Sequence, residues 1–225
     1  MIPKKIHQIW IGDKKSMPSI LMNTWKSLYF DWEYYLWTEN EIEDLCLVNK
    51  RQYELAGTYA GKADIARYEI LYKHGGFFID ADSLAIKKID ETIVAQSAMC
   101  VYESEKYRDD LLVNGYYGTV PRHMINYKMI AHISQIDDSV IKHGAPWKIT
   151  GPLPFTNAVN GIENIKFISS DMFMPVHFED EGFSSKSIEN ITKDEIIEIE
   201  DRYKDSYSYQ FWGSKCGYSN NDTRY

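Results

Sequence analysis

The stretch from Gly61 to Ile89, GKADIARYEILYKHGGFFIDADSLAIKKI, constrains the fold more than any other part of this chain. Its helical pattern begins near Lys62 and runs to about His74. Gly75-Gly76 ends it, because glycine enters the left-handed conformation that closes helices. Phe77, Phe78 and Ile79 follow as a short apolar run of strand formers. Asp80 and Asp82 come next. A helix, a tight turn and a continuous apolar run predict a buried strand of an α/β sheet, and the carboxyl edge of such a sheet is where ligands bind. Residues i and i+2 of a strand share a side, so both carboxylates are expected to point one way. Paired carboxylates suit a hard divalent cation, Mn2+ or Mg2+, completed by substrate phosphates.

The flanking sequence extends this pattern. Lys4 to Ile11 alternates as a strand, with Trp10 near its carboxyl end. Pro18 to Phe30 has apolar residues at helical spacing. Trp32 to Trp37 reads as a second strand. Thr38 and Glu41 form a capping box at the start of the next helix. The order β-α-β-α predicts an α/β fold with a mostly parallel central sheet flanked by helices. Lys50 to Leu55 reads as a short helix. Leu84 to Ile86 and Ala98 to Tyr102 read as strands, and Leu111 to Val120 as irregular strand and turn. Pro121 to Gln135 is helical, and Thr150-Gly151-Pro152 opens a helix through Val159. Lys166 to Ser169 and Met172 to Val176 are expected as short strands, and Thr192 to Lys204 as a charged helix. No repeat or long linker divides the chain. One domain over residues 1–225 is expected, with an aromatic, polar tail from about Asp205.

Composition narrows the partners. The 225 residues carry a net charge of -8, which speaks against nucleic acid. A nucleotide or sugar phosphate stays compatible, since a metal and one or two basic groups neutralise it locally. Cys46, Cys100 and Cys216 have no metal or disulfide spacing and are expected as reduced thiols. No run of 18 apolar residues and no signal-peptide core occur, so no membrane span and a cytoplasmic location are expected.

Three further residues join the acid pair as candidates. Asp64 and Arg67, three apart, share one face of the central helix. They form either a surface ion pair or a pair reaching a substrate hydroxyl and phosphate. Trp10, at a strand end, is either core or a platform on which a base stacks.

The run from Lys62 to Asp82 resembles the sugar-nucleotide-binding region of family 32 glycosyltransferases with a DXD motif. IPKKIHQIWIG at the start is similar to that family's first strand, TGPLPFTNAV to its downstream TGP segment, and FMPVHF to a further segment. The glucosylating toxins of clostridia are more distantly similar. The resemblance covers most of the chain in order. It implies a GT-A-type, Rossmann-like nucleotide-sugar-binding fold. It also implies a retaining, metal-dependent glycosyltransferase moving a hexose from a UDP- or GDP-sugar to a glycan or other hydroxyl acceptor.

Carried onto this sequence, the resemblance gives Trp10 the base, and Asp64 and Arg67 the donor sugar and its phosphate side. Asp80 would touch ribose or sugar hydroxyls, Asp82 would bind Mn2+ or Mg2+, and Asn114 would lie near the donor sugar. Asp80, Asp82 and Arg67 form the implied catalytic set. The tail YQFWGSK resembles the family's HHWxGSW ending, with Tyr209 and Gln210 in place of the histidines and Lys215 in place of the last tryptophan. Gln210 is then a candidate amide ligand for the metal, and Ser214 and Lys215 are candidates for the diphosphate. Two other readings compete. One is a haloacid-dehalogenase-type phosphatase with the first Asp as nucleophile, although Ser83-Leu84 departs from its pattern. The other is a catalytically weak sugar-binding relative that has lost the tail histidines.

Overall fold

The computed structural model of the chain describes residues 1–181, 183, 188 and 191–213. Its elements follow in chain order. They begin with β1 (Lys5–Ile9), α1 (Ser19–Leu28), β2 (Glu33–Trp37), α2 (Glu39–Asp44), α3 (Lys50–Leu55), α4 (Tyr59–His74), β3 (Gly76–Ile79) and β4 (Ser83–Ala85). Then come α5 (Glu91–Val94), β5 (Ala98–Ser104), β6 (Arg108–Thr119), α6 (Met124–Ser134), α7 (Asp138–His143) and α8 (Pro146–Ile149). The chain continues through α9 (Pro152–Val159), β7 (Ile165–Ile168), α10 (Lys193–Arg202) and β8 (Ser208–Gln210).

Six strands form one sheet in the order β2-β1-β3-β6-β5-β7. Five run the same way. Only β6 is reversed, pairing antiparallel with β3 and with β5. One apolar cluster covers the first face, built from α4, α6 and α9 against Phe78, Cys100 and Tyr117. A second covers the other face, with Trp25 of α1, Phe173 and Tyr207 against Phe77, Ile79 and Tyr116. Strands buried on both sides explain why β3 reads as a continuous apolar run without alternation. The expected α/β architecture with a mostly parallel sheet between helices is the one observed.

The central helix is set at both ends by its sequence. Thr58 accepts from Gly61 N–H at its start, and Gly75 closes it at φ 61°, with Gly76 at φ 105°. A side chain at either glycine would also collide, at Gly75 with Pro121 and at Gly76 with Lys5 and His7. His7 fixes the turn from below. Its Nε2 lies 2.9 Å from Gly75 O, and its Nδ1 accepts from Trp37 Nε1 at 3.1 Å. Burial, before any neighbouring charge, pushes the His7 imidazole down to about 3, so it is neutral at ordinary pH.

Three local features differ from the sequence expectation. Strand β3 stops at Ile79, so Asp80-Ala81-Asp82 is a turn into β4 rather than a strand end with two parallel carboxylates. Met172 to Val176 is not a strand; a 3-10 turn at Ser170–Met172 leads into irregular chain, where Pro175 has no N–H to give a ladder. The irregular piece expected from Leu111 is part of the longest strand, β6. Its pairing to β5 jumps from Cys100↔Tyr117 to Val101↔Val113, leaving Asn114, Gly115 and Tyr116 bulged from that partner.

Candidate active site

The β6 bulge is placed against the DxD turn. Bulges re-aim side chains next to sites, and here each of the three bulged residues meets a different part of one constellation. The Gly115 carbonyl accepts from Asp80 N–H at 3.0 Å. A Cβ at Gly115 would stand 2.2 Å from Asp80 Oδ2, so only glycine lets the carboxylate lie there. The Asp80 carbonyl is held in turn by Gln8 Nε2 at 3.2 Å and Ser83 Oγ at 2.7 Å.

Asn114 points toward α4. Its Nδ2 donates to Asp64 Oδ1 at 2.7 Å and lies 2.9 Å from the Tyr68 hydroxyl. The other Asp64 oxygen accepts from Thr150 Oγ1 at 2.9 Å, and Tyr68 donates to the Thr150 carbonyl at 2.8 Å. The TGP segment is thereby tied to α4. Arg67 completes the group. Its Nη1 donates to the Asn114 carbonyl at 2.6 Å, and its Nη2 lies 3.3 Å from Asp64 and 3.4 Å from Asp80. The guanidinium also lies over the Phe78 ring, 4.3 Å from its centre.

Burial raises the Asp64 carboxyl above its usual range, opposed by Arg67 and by the Asn114 and Thr150 hydrogen bonds. For Arg67, burial pulls downward, but Asp80 and Asp64 outweigh it and hold the guanidinium above its ordinary value. The pair is an ion pair, but it lies in the interior and not on the surface. The Arg67 side chain is 7% exposed and that of Asp80 33% exposed, so Asp80 is the member of the group that faces outward.

Asp82 is framed by the chain's far end. Strand β8 pairs antiparallel with β4, Ser83↔Gln210 to Ala85↔Ser208. Phe211 N–H donates to the Asp82 carbonyl, and Gly213 N–H donates to Asp82 Oδ2 at 2.6 Å. The Gln210 side chain also lies beside the Asp82 carboxylate and favours its ionised form. Burial, then the neighbouring Asp80, pushes the Asp82 carboxyl up to about 6. Two carboxylates brought together in partial burial repel each other, and a divalent cation would relieve that repulsion, so this pair fits Mn2+ or Mg2+. Among the described residues no cluster of three or more His, Cys, Asp or Glu is disposed to hold a metal. Ions of this kind are usually held by one or two carboxylates completed by substrate phosphates and water.

The other expected site residues fall as follows. The Gln210 amide oxygen accepts from the Tyr116 hydroxyl, which burial and Asp82 keep protonated. That bond occupies the oxygen expected to reach a metal and turns the amide N–H toward Asp82. Trp10 sits just past β1, half-buried, and lines a cavity of about 150 Å³ with Gly12, Lys14, Met17, Leu36, Thr38 and Glu39. The cavity is at the carboxyl ends of β1, the direct neighbour of β3, and of β2, the strand beyond it. Ser214 and Lys215 lie outside the described residues. Thr150, Tyr68, Gly115 and Tyr116 are site-forming residues that sequence reasoning did not single out. Gly115 carried a signal, since an isolated glycine inside a strand pattern marks a bulge or a close approach.

Residues 18–99 match the family described as "Glycosyltransferase sugar-binding region containing DXD motif". The match spans α1 through the start of β5 and includes the DxD turn. An uncharacterized glycosyltransferase of Acanthamoeba polyphaga mimivirus is 30% identical over 133 residues, which is 56% of this chain and 53% of that protein. Inositol phosphoceramide mannosyltransferase 1 of Schizosaccharomyces pombe is 25% identical over 165 residues, 68% of this chain and 49% of that protein. The chain thus spans about half the length of these curated relatives. Among solved structures, "PaToxG Glycosyltransferase" superposes with a TM-score of 0.54 at 18% identity, covering 70% of this chain and 69% of its own. Residues 18–99 are thus similar to the DXD region of glycosyltransferases, and the chain shares the GT-A-type fold of the solved glycosyltransferase. No helix among the described residues is long and apolar enough to cross a membrane.

Proposed function

With a DXD glycosyltransferase region at residues 18–99 as premise, we propose that residues 1–225 act as one catalytic unit. The unit transfers a hexose from a nucleoside-diphosphate sugar to a hydroxyl of a glycan or similar acceptor, with retention of configuration. The observation that carries this reading is the outward-facing Asp80 beside Asp82 at the edge of β3, each carboxylate held from behind by a dedicated part of the fold.

Trp10 gives the base its stacking surface in the cavity beyond β1. Asp80 and Asp82 lie at the diphosphate, where Mn2+ or Mg2+ would be held by the two carboxylates together with donor phosphate oxygens. Such an ion, when bound, supplies Lewis-acid stabilisation of charge growing on the departing diphosphate. Arg67 contributes by holding the Asp80 carboxylate, since its donors are already committed inside the protein. Asp64, Asn114 and Thr150 hold Arg67. Ser214 and Lys215 follow Gly213 directly and would add donors to the diphosphate side.

The test is nucleotide release from a panel of UDP- and GDP-hexoses in the presence of Mn2+. Slow release from one or two donors, abolished in Asp82→Asn, is the expected result. Phosphate release from simple phosphomonoesters without turnover of any sugar nucleotide would point to a phosphatase and sink the reading.

A further inference from the structure

The cavity at Trp10 carries charges that a stacking platform alone does not need. Its walls are mainly apolar, from Trp10, Met17 and Leu36, yet Lys14 and Glu39 both line it. Glu39 is fixed by the backbone. Its Oε1 accepts from Gly12 N–H at 2.8 Å, and Gly12 holds φ 109°, a conformation an L-residue rarely adopts. The adjacent acid, Glu41, is committed elsewhere, capping Thr38. An ionised carboxylate is an acceptor with about four lone-pair sites, so the Gly12 bond leaves room for two more donors.

We propose that Glu39 selects guanine, making the donor a GDP-sugar; this rests on the glycosyltransferase reading above. Guanine presents N1–H and the N2 amine side by side, a donor pair that a carboxylate accepts with both oxygens. Its O6 and N7 on the neighbouring edge are acceptors of the kind lysine contacts, and Lys14 lines the same cavity. Uracil offers one N–H between two carbonyls, so its second oxygen would press against the carboxylate. Cytosine and adenine each offer one amine beside a ring-nitrogen acceptor, with the same conflict. Among the common bases only guanine matches both charges.

The experiment is calorimetric titration of the full chain with GDP, IDP, UDP and CDP in Mn2+ buffer. A two-point carboxylate contact discriminates by about 10- to 100-fold, so GDP is expected to bind tighter than UDP and CDP by that factor. IDP lacks only the N2 amine, and its affinity is expected to fall clearly below that of GDP. That comparison needs no variant. In Glu39→Gln the side-chain oxygen still accepts from Gly12, but an amide N–H replaces an acceptor, and the preference for GDP over IDP and UDP is expected to vanish. Tighter binding of UDP or CDP than GDP, equal binding of IDP and GDP, or a GDP preference untouched by Glu39→Gln would each overturn the guanine assignment. In those cases the transferase reading stands. Failure to bind any of the four would overturn both.

Discussion

Arg67 Nη2 lies 3.4 Å from Asp80 Oδ1 and 3.3 Å from Asp64 Oδ1, so one buried cation links the outward-facing acid to the helix interior. Removing one partner of a buried pair strands the other charge and typically costs about 3–5 kcal/mol. Arg67→Ala is therefore expected to destabilise the fold by roughly that amount in denaturant unfolding, and to lose donor turnover as Asp80 drifts. Arg67→Lys keeps the charge but not the fork that serves Asn114, Asp64 and Asp80 together. It is expected to recover much of the stability and little of the activity. Full activity in Arg67→Lys would show that charge alone suffices.

Gly115→Ala isolates position from charge. The added methyl would stand 2.2 Å from Asp80 Oδ2 and must push the carboxylate aside. A displacement near 1 Å at a catalytic group costs about 100-fold in rate. The variant is expected to fold, with turnover down by about that factor. Unchanged kcat/KM would mean that the orientation of Asp80 is unimportant.

Tyr116→Phe removes the hydroxyl that engages the Gln210 oxygen. A buried acceptor left without its partner costs about 1–3 kcal/mol, and that loss is expected in the unfolding free energy. The freed amide oxygen can then turn toward the acid pair, so the apparent affinity for Mn2+ is expected to change while the fold persists. An Mn2+ titration identical to wild type would separate the tail's structural role from the metal's surroundings.

His7 gives the fold a predictable acid limit. Its pKa is about 3 in the folded protein against an ordinary 6.5. Below pH 6.5 the unfolded chain takes up a proton that the folded chain refuses. Stability attributable to His7 is thus complete above pH 6.5 and declines as pH falls toward 3, by up to about 1.4 kcal/mol per pH unit. Melting temperature measured from pH 7 to 4 is expected to fall less steeply in a His7→Gln variant, which has no such proton to take up. Parallel curves would assign the acid sensitivity to other groups.

What could be read in advance follows the range of the interactions. Helix α4, its glycine stop, β3 and the Thr38–Glu41 box are set by neighbours in sequence, and they appear as expected. The position of the acid pair directly after β3 follows from the same local logic. The setting of each carboxylate was not. Asp64 meets Asn114 and Thr150, which are 50 and 86 residues away, and Asp82 meets Gly213 across 131 residues. No periodicity encodes such pairs. The β6 bulge escaped for a related reason: its three residues violate strand alternation, and so they looked like a turn although they lie inside the longest strand.

The pairing of β4 with β8 also fixes when in its own synthesis the protein can work. The DxD turn emerges early, yet its second carboxylate is framed only by residues 208–213. A nascent chain still holding those residues in the ribosome has the acids, the helix behind them and the cavity at Trp10, but an open flank on Asp82. Catalytic competence would then begin only once residues 208–213 have left the ribosome and paired, rather than grow with the chain, so a product terminated before them would keep both acids and lack the frame around Asp82.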